Sequence, residues 1–480
     1  MIPWWALAVF VLGANFALWG TVSLARLASA QAARRHGQPR PAAAGPADGG
    51  RVIAVTGGGQ AARRAPARRL TIADVAVLIP AHNEALVIEE SLRSIMALVP
   101  RQNVHVVSDG STDATARIAR QAGAQVIETR ENVGKAGALE EAIGRFRLVD
   151  RFAVVMLLDA DTRVQPGYFA AGLPMFDNQA VVAVAGCVRT ARDRRLGLAG
   201  NVLTGHRTRI YAVGQRVLKF GQTWLHANAT PIVPGFASMY RTSVLPRIEM
   251  NPPGLVIEDF NMTFEVYQKR LGKVGFTMRA VAVTQDPDNL RDYVRQTKRW
   301  ALGLWQTVRR HPPRANLFTA MLTLLLLELI TSSLMFFLLP LALIVLAVPD
   351  VASGAPYWPG FGEVYSVVAA HLTLSAVLLG VVIPDYLLTC AVAVLERQPR
   401  LLLVGVFFPL VRMLDAVIAL YAVPAAWLSR STGRWQSPAR RPVDGGSPVD
   451  GGPAVGAGAV AETGPAPPGA VPLEASYVSG

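Results

Sequence analysis

Three apolar blocks, roughly 316–348, 364–395 and 401–428, constrain this chain more than any other feature. A helix needs about 20 apolar residues to cross the hydrocarbon core of a bilayer. The first two blocks exceed one span, so each is expected to tilt, bend or include an interface helix. Asp385, Arg412 and Asp415 interrupt the later blocks. Charges at such depth face a cavity or a partner. A further stretch, residues 1–25, carries no charged side chain and is long enough for an N-terminal transmembrane helix. Ala28-Ser29-Ala30 resembles a signal-peptidase site, but the stretch lacks a basic start and is too long for a signal peptide.

With 51% hydrophobic and 17% charged residues, the chain reads as a membrane protein with a substantial soluble part. Its net charge is +14. Much of the excess lies in Ala, Arg, Pro and Gly-rich segments: a linker over 26–73 and a tail over 430–480, both expected to be disordered. No zinc-finger or aromatic-basic RNA-binding pattern accompanies the charge, which disfavours nucleic acid. Arg26, Arg34, Arg35 and Arg40 follow the first span, so the positive-inside rule places the next domain in the cytoplasm of a multi-pass plasma-membrane protein. Three later spans then put the C-terminus outside, whereas Arg430, Arg434, Arg440 and Arg441 argue for inside. A re-entrant block or a misleading charge signal both reconcile the two. Cys187 and Cys390 offer no disulfide framework, in keeping with a reducing compartment.

Between 74 and 289 the texture is that of a soluble α/β domain. VAVLIPAHNE, VHVVSDGSTDAT and VVMLLDADT are apolar strands that each end in a polar cluster, with helical patterns such as SLRSIMAL between them. Strands alternating with helices predict a mostly parallel sheet flanked by helices, and such sheets bind ligands at the carboxyl ends of their strands. Every polar cluster falls at such an end. In DAD, Asp159 and Asp161 offer hard oxygen donors suited to Mg²⁺ or Mn²⁺. In SDGSTD, Asp109 ends a strand and is a candidate partner for a nucleotide, while Asp113 or Thr112 suits a helix cap. Glu84 can accept hydrogen bonds from ribose or base, or complement a helix start. Lys135, in NVGKAGAL at a helix start, suits phosphate. In IED, Glu258 and Asp259 point different ways if the chain is extended, so one can pair structurally while the other acts as a base.

Residues 290–315 form a basic amphipathic stretch that suits a helix lying in the membrane interface. It contains QTKRW, in which Gln296, Arg299 and Trp300 stand just before the first apolar block. Interface anchoring is the plain reading of the Trp and Arg.

Taken in order, VLIPAHNE, SDGSTD, NVGKAGAL, DAD, PGFASMYR, IED and QTKRW resemble the family 2 glycosyltransferases. More narrowly, they are similar to the membrane-embedded processive branch that includes cellulose, hyaluronan, chitin and poly-N-acetylglucosamine synthases. The resemblance runs from about Val75 to Trp300. It implies a GT-A-type sheet and an inverting hexosyltransferase. The donor is a UDP-sugar, with UDP-N-acetylglucosamine the first to test. The acceptor is a growing β-linked polysaccharide exported through the membrane segments. It also implies that Glu84 and Asp109 bind uridine and that Lys135 lies near the nucleotide. Asp161, with Asp159, holds the metal on the diphosphate. Asp259 is the base, with Glu258 beside it. The stretch from Gly235 borders the acceptor, Trp300 stacks on it, Gln296 belongs to the same motif, and Arg299 approaches the diphosphate. A transferase adding one sugar to a lipid acceptor is the alternative, and the need for an accessory subunit stays open. The sequence departs from the branch in three places: IED for TED, SDG for DDG, and Thr297 where many members have Arg.

Overall fold

The computed structural model describes residues 1–35, 68–193, 195–224, 226–351 and 360–428. The expected tail 430–480, and most of the expected linker, lie outside them. Eight strands form one sheet: β1 (Val75–Ala81), β2 (Val104–Asp109), β3 (Gln125–Thr129), β4 (Val154–Leu158), β5 (Arg163–Val164), β6 (Val181–Thr190), β7 (Ala237–Arg241) and β8 (Lys273–Thr284). Their order is β3-β2-β1-β4-β7-β6-β8-β5. The first four strands are parallel. β6 and β8 are also parallel, but β7 runs antiparallel to both its neighbours and β5 antiparallel to β8.

The sheet is mixed but mostly parallel, as the strand–helix alternation predicts: six strands run one way, and only β7 and the two-residue β5 are reversed. β7 reverses because of the long excursion 191–236, which returns the chain to the carboxyl end of β4. There the amide of Asp159 donates to the carbonyl of Phe236 at 2.9 Å. β7 starts opposite Leu158 and can only run back along β4. This return also delivers Gly235 to the strand ends.

Both faces of the sheet are covered. Val75, Val77 and Ile79 of β1 face one core with Ile88, Leu92 and Ile95, while Ala76 and Leu78 face another with Leu139 and Ala142. The alternation of strand side chains sends an unbroken apolar run to two cores at once.

Among the described residues, three helices are long and apolar enough to cross a membrane: Leu317–Ala347, Leu374–Leu395 and Arg400–Leu428. The N-terminal apolar stretch is not one straight helix. It bends by 66° between Trp4–Leu12 and the helix that follows. Asn15, one residue into that second helix, donates from its backbone at 2.8 Å and its side chain at 3.0 Å to one carboxylate oxygen of Glu328 in the first span. A carboxylate there satisfies the free N–H groups of a helix start and its positive dipole end. The first segment, with Leu7 and Val11, packs among the apolar helices. The second runs from Ala14 to Arg35, well past the expected helix end at residue 25. It lies on the α/β domain: Trp19 is buried, Ser23 Oγ donates to the carbonyl of Val217 at 2.8 Å, and Arg26 sits 4.0 Å over the Phe220 ring.

The charges that interrupt the apolar blocks are partnered. Asp385 lies between Arg412 and Arg209, each at 2.7 Å, with Arg209 reaching it from helix Leu198–Val213 of the α/β domain. Asp415 accepts from the Tyr293 hydroxyl at 3.0 and 3.1 Å. Removing one partner of a buried ion pair leaves uncompensated charge. Asp385→Ala is therefore expected to destabilise the protein by about 3–5 kcal/mol, read as a lower midpoint of thermal unfolding in detergent. An unchanged midpoint would contradict the pairing.

Candidate active site

The site is built at the carboxyl ends of β1, β2 and β4, where the sheet's apolar runs stop. The first two ends are stitched together. The Asn83 carboxamide oxygen accepts from the amide of Thr112 at 2.8 Å, and Asp113 accepts from the amides of Ala85 and Thr115, both at 3.0 Å. Asp113 thus accepts from the first amide of helix Thr115–Ala122, one residue before the N-cap position at Ala114. Glu84 is buried beside it, its amide donating to the Thr115 hydroxyl at 2.8 Å.

Asp109, a candidate nucleotide partner by its strand-end position, is met by groups of the protein itself. Its carboxylate accepts from Thr129 Oγ1 at 2.9 Å and from the amides of Val133 and Gly134 at 2.9 and 3.0 Å. Three of its roughly four acceptor directions are used. They order the loop that opens helix Gly134–Arg145 and so position Lys135.

Lys135 is the hub. Its Nζ lies 2.7 Å from Asp159 Oδ1 and 2.9 Å from Glu258 Oε1, bringing together the ends of β2 and β4 and the start of helix Glu258–Gln268. Both contacts are close ion pairs rather than well-aligned hydrogen bonds. Burial alone would lower the lysine pKa, but Asp159 and then Glu258 outweigh it and hold the pKa above the usual lysine value. Burial would raise Glu258, yet Lys135 overrides it and keeps that carboxyl below its ordinary value. Asp159 is raised, by burial first and by the charge of Asp161, with Lys135 opposing.

Glu258 and Asp259 do not lie in extended chain; they are the first two residues of a helix. About 100° of helical rotation still separates them, so the two carboxylates meet different surroundings. Glu258 is taken by Lys135. Asp259 accepts from the amide of Gly235 at 3.2 Å and from that of Phe260 at 2.7 Å. Burial and the adjacent Glu258 push its pKa up to about 6. At Gly235 a side chain would crowd the ion pair: an added Cβ would lie 3.0 Å from Lys135 Nζ and 3.1 Å from Glu258 Oε1.

The donor set suits a hard divalent cation that also draws on substrate oxygens. Asp161 accepts from Thr162 and Thr284 hydroxyls at 3.2 and 3.3 Å, and Asp159 keeps a partly exposed carboxylate. Among the described residues no group of three or more His, Cys, Asp or Glu side chains could hold an ion alone. Two carboxylates plus phosphate and water is an ordinary Mg²⁺ environment.

QTKRW lies on helix Leu290–Arg310, capped by Asn289, whose side chain accepts from the Asp292 amide at 3.0 Å. The helix passes close to the IED segment at Gly303, where a Cβ would fall 2.8 Å from that of Ile257. Arg299 is near enough to Glu258 for its charge to help keep that carboxyl ionised. Gln296 has a buried carboxamide oxygen with no hydrogen-bond partner in the protein. On the membrane side, Trp305 packs with Ala422 and Ala426, and Lys298 Nζ sits 4.3 Å over the Tyr421 ring.

Sequence reasoning missed the run His206-Arg207-Thr208-Arg209, which is buried throughout. His206 Nδ1 lies 3.2 Å from the Tyr293 hydroxyl, and the Arg207 guanidinium lies 4.4 Å over the ring of Trp300. Four polar residues in succession within a helix were the available signal, since they cannot share one solvent face.

Residues 73–303 match the model of the family described as glycosyltransferase like family 2, over the stretch that forms the mixed sheet. The chain is 28% identical over 255 residues to the uncharacterized glycosyltransferase YaiP of Escherichia coli (strain K12), covering 52% of this chain and 61% of that protein. It is 27% identical over 240 residues to the probable glycosyltransferase YdaM of Bacillus subtilis (strain 168), covering 48% and 54%. The match thus spans little more than half the length of either relative. Among solved structures, the mannosyltransferase PcManGT from Pyrobaculum calidifontis in complex with GDP-Man and Mn2+ is similar at a TM-score of 0.48 and 19% identity, covering 84% of this chain and 99% of that chain.

A base must be ionised to take a proton. With Asp259 at about 6, turnover is expected to fall as pH drops through that value, by about tenfold per unit below it. A kcat/KM profile still flat at about pH 5 would exclude Asp259 as the titrating base. Gly235→Ala is expected to cost at least about tenfold in kcat by displacing Lys135 or Glu258. Wild-type turnover in that variant would contradict the crowding.

Proposed function

We propose that the protein is a membrane glycosyltransferase that moves a sugar from a UDP-sugar, first choice UDP-N-acetylglucosamine, to an acceptor at the membrane face, with inversion. The observation that carries this reading is the pairing of unlike carboxylates at one helix start. Glu258 is neutralised by Lys135, while Asp259, facing Gly235, keeps a pKa of about 6. A carboxylate poised there takes a proton efficiently near neutral pH.

The acceptor hydroxyl attacks the anomeric carbon and gives its proton to Asp259. A bond forms from the acceptor oxygen to that carbon, and the bond from the carbon to the diphosphate oxygen breaks. Attack opposite the leaving group turns an α-linked donor into a β-linked product. Arg299 and Lys135 supply positive charge as the diphosphate departs. A divalent cation held by Asp159 and Asp161 would add charge neutralisation on the same oxygens. Glu84 stands at the strand ends for the nucleoside, with Asp109 acting through the loop it orders. Trp300 offers a flat apolar face for the acceptor ring, and the unpartnered oxygen of Gln296 can accept from one of its hydroxyls.

The order of the motifs favours repeated transfer to a growing β-linked polysaccharide, with the apolar helices as its exit route and the catalytic domain on the cytoplasmic side. Single transfer to a lipid-borne acceptor is the second reading. It is favoured by the packing of the QTKRW helix directly on the span Arg400–Leu428, at Trp305, Ala422 and Ala426. Product length separates them: a ladder or high-mass polymer indicates repeated transfer, one added sugar the lipid reading. Asp259→Asn is expected to lower transfer by at least about a thousandfold with donor affinity within about twofold. Retained transfer would remove Asp259 as base. Asp161→Ala is expected to abolish metal-dependent donor binding, and persistence of that dependence would move the metal elsewhere.

A further inference from the structure

Arg207, on helix Leu198–Val213, is 2% exposed. Two residues on, Arg209 is paired with Asp385 at 2.7 Å. Arg207 makes a different set of contacts. Its guanidinium carbon lies 4.3 Å over the ring of Tyr293 and 4.4 Å over that of Trp300, and Nη2 donates to Thr297 Oγ1 at 2.6 Å. Its Nε is buried with no hydrogen-bond partner in the protein. Tyr293, Thr297 and Trp300 stand at i, i+4 and i+7, so one face of the QTKRW helix closes around a single guanidinium.

We propose that Arg207 is a positioning residue for the acceptor: it fixes the plane of the Trp300 indole and leaves one ring face to receive the acceptor sugar. This rests on the reading of Trp300 as the acceptor platform. A planar guanidinium stacked on aromatic rings restrains both rings in a way an ammonium cannot. It also accounts for a departure in the motif. Thr297 stands where many members of the resembling branch carry Arg. Here a cation reaches that place from a different helix, and the threonine hydroxyl is its acceptor. The tie is itself anchored: Tyr293 donates to Asp415 in the last span, so the platform is braced from the membrane side as well.

The test is a double-mutant cycle on the full-length protein in detergent. UDP-N-acetylglucosamine would be the donor, with a β-linked N-acetylglucosamine oligosaccharide and a polyprenyl phosphate as acceptor probes. Arg207→Lys is expected to raise the acceptor KM about tenfold, with donor KM and kcat within about twofold. Trp300→Ala should raise it further, and the double variant should be no worse than Trp300→Ala, because Arg207 acts through that ring. Thr297→Val, which removes only the hydroxyl, should move acceptor KM in the same direction by a smaller factor. Additive effects of Arg207→Lys and Trp300→Ala would overturn the proposal. So would equal losses in donor and acceptor KM, or an unchanged acceptor KM. An unchanged acceptor KM in Trp300→Ala itself would instead overturn the platform reading on which the proposal rests. A wild-type protein that uses neither probe would overturn both.

Discussion

The ammonium of Lys135, set between Asp159 and Glu258, is the contact on which the rest of the site depends. Three chain segments far apart in sequence meet there: the loop ordered by Asp109, the end of β4, and the start of the helix that carries Asp259. Without a cation at that point, the carboxylates of Asp159, Asp161, Glu258 and Asp259 would crowd one small, poorly solvated volume. With it, Glu258 stays ionised, and that fixed negative charge is one of the two causes that lift Asp259. One ion pair therefore assigns different chemistry to two adjacent acids. The close approach of Gly235 is a consequence of the same crowding.

The second constraint is the tie between the catalytic domain and the apolar helices. It is made of polar side chains. Helix Leu198–Val213 sends Arg209 to Asp385, His206 toward Asp415, and Arg207 to the QTKRW helix. Burying such groups is favourable only when each is matched, because an unmatched charge at that depth costs several kcal/mol. Matched, they specify one register between the two halves in a way that greasy packing alone would not. Gly303, Trp305 and Arg309 continue the same seam, the last donating to the carbonyl of Ala426 at 2.6 Å.

The parts of this architecture legible in the sequence are those set by local pattern. Apolar runs of five to seven residues ending in AHNE, SDG and DAD are buried strands whose polar ends converge. The amphipathic pattern over 290–315 predicts the helix found at Leu290–Arg310. What escaped is set by distant partners. The bend near Gly13 is tied to Glu328, which lies 313 positions from Asn15. IED looks extended because Pro252, Pro253 and Gly254 precede it, yet the helix starts at Glu258 itself. Asp109 reads as a ligand-facing acid because nothing nearby in sequence shows that Val133 and Gly134 will return to it. The run His206-Arg207-Thr208-Arg209 cannot turn to one solvent face, but nothing in it names the distant Tyr293, Asp385 and Asp415 that partner it. β7 reverses because of where the 191–236 excursion ends, which no strand pattern encodes.

The most direct test of the account is the anomeric configuration of the product formed by purified protein from a panel of labelled UDP-sugars in the presence of Mg²⁺ or Mn²⁺. A single carboxylate base at Asp259, with Glu258 already committed to Lys135, predicts consumption of one α-linked donor and a β-linked product. An α-linked product would require a path other than a single displacement with proton transfer to Asp259, and it would contradict the assignment of Asp259 as base. Failure to consume any nucleotide sugar would contradict the transfer itself.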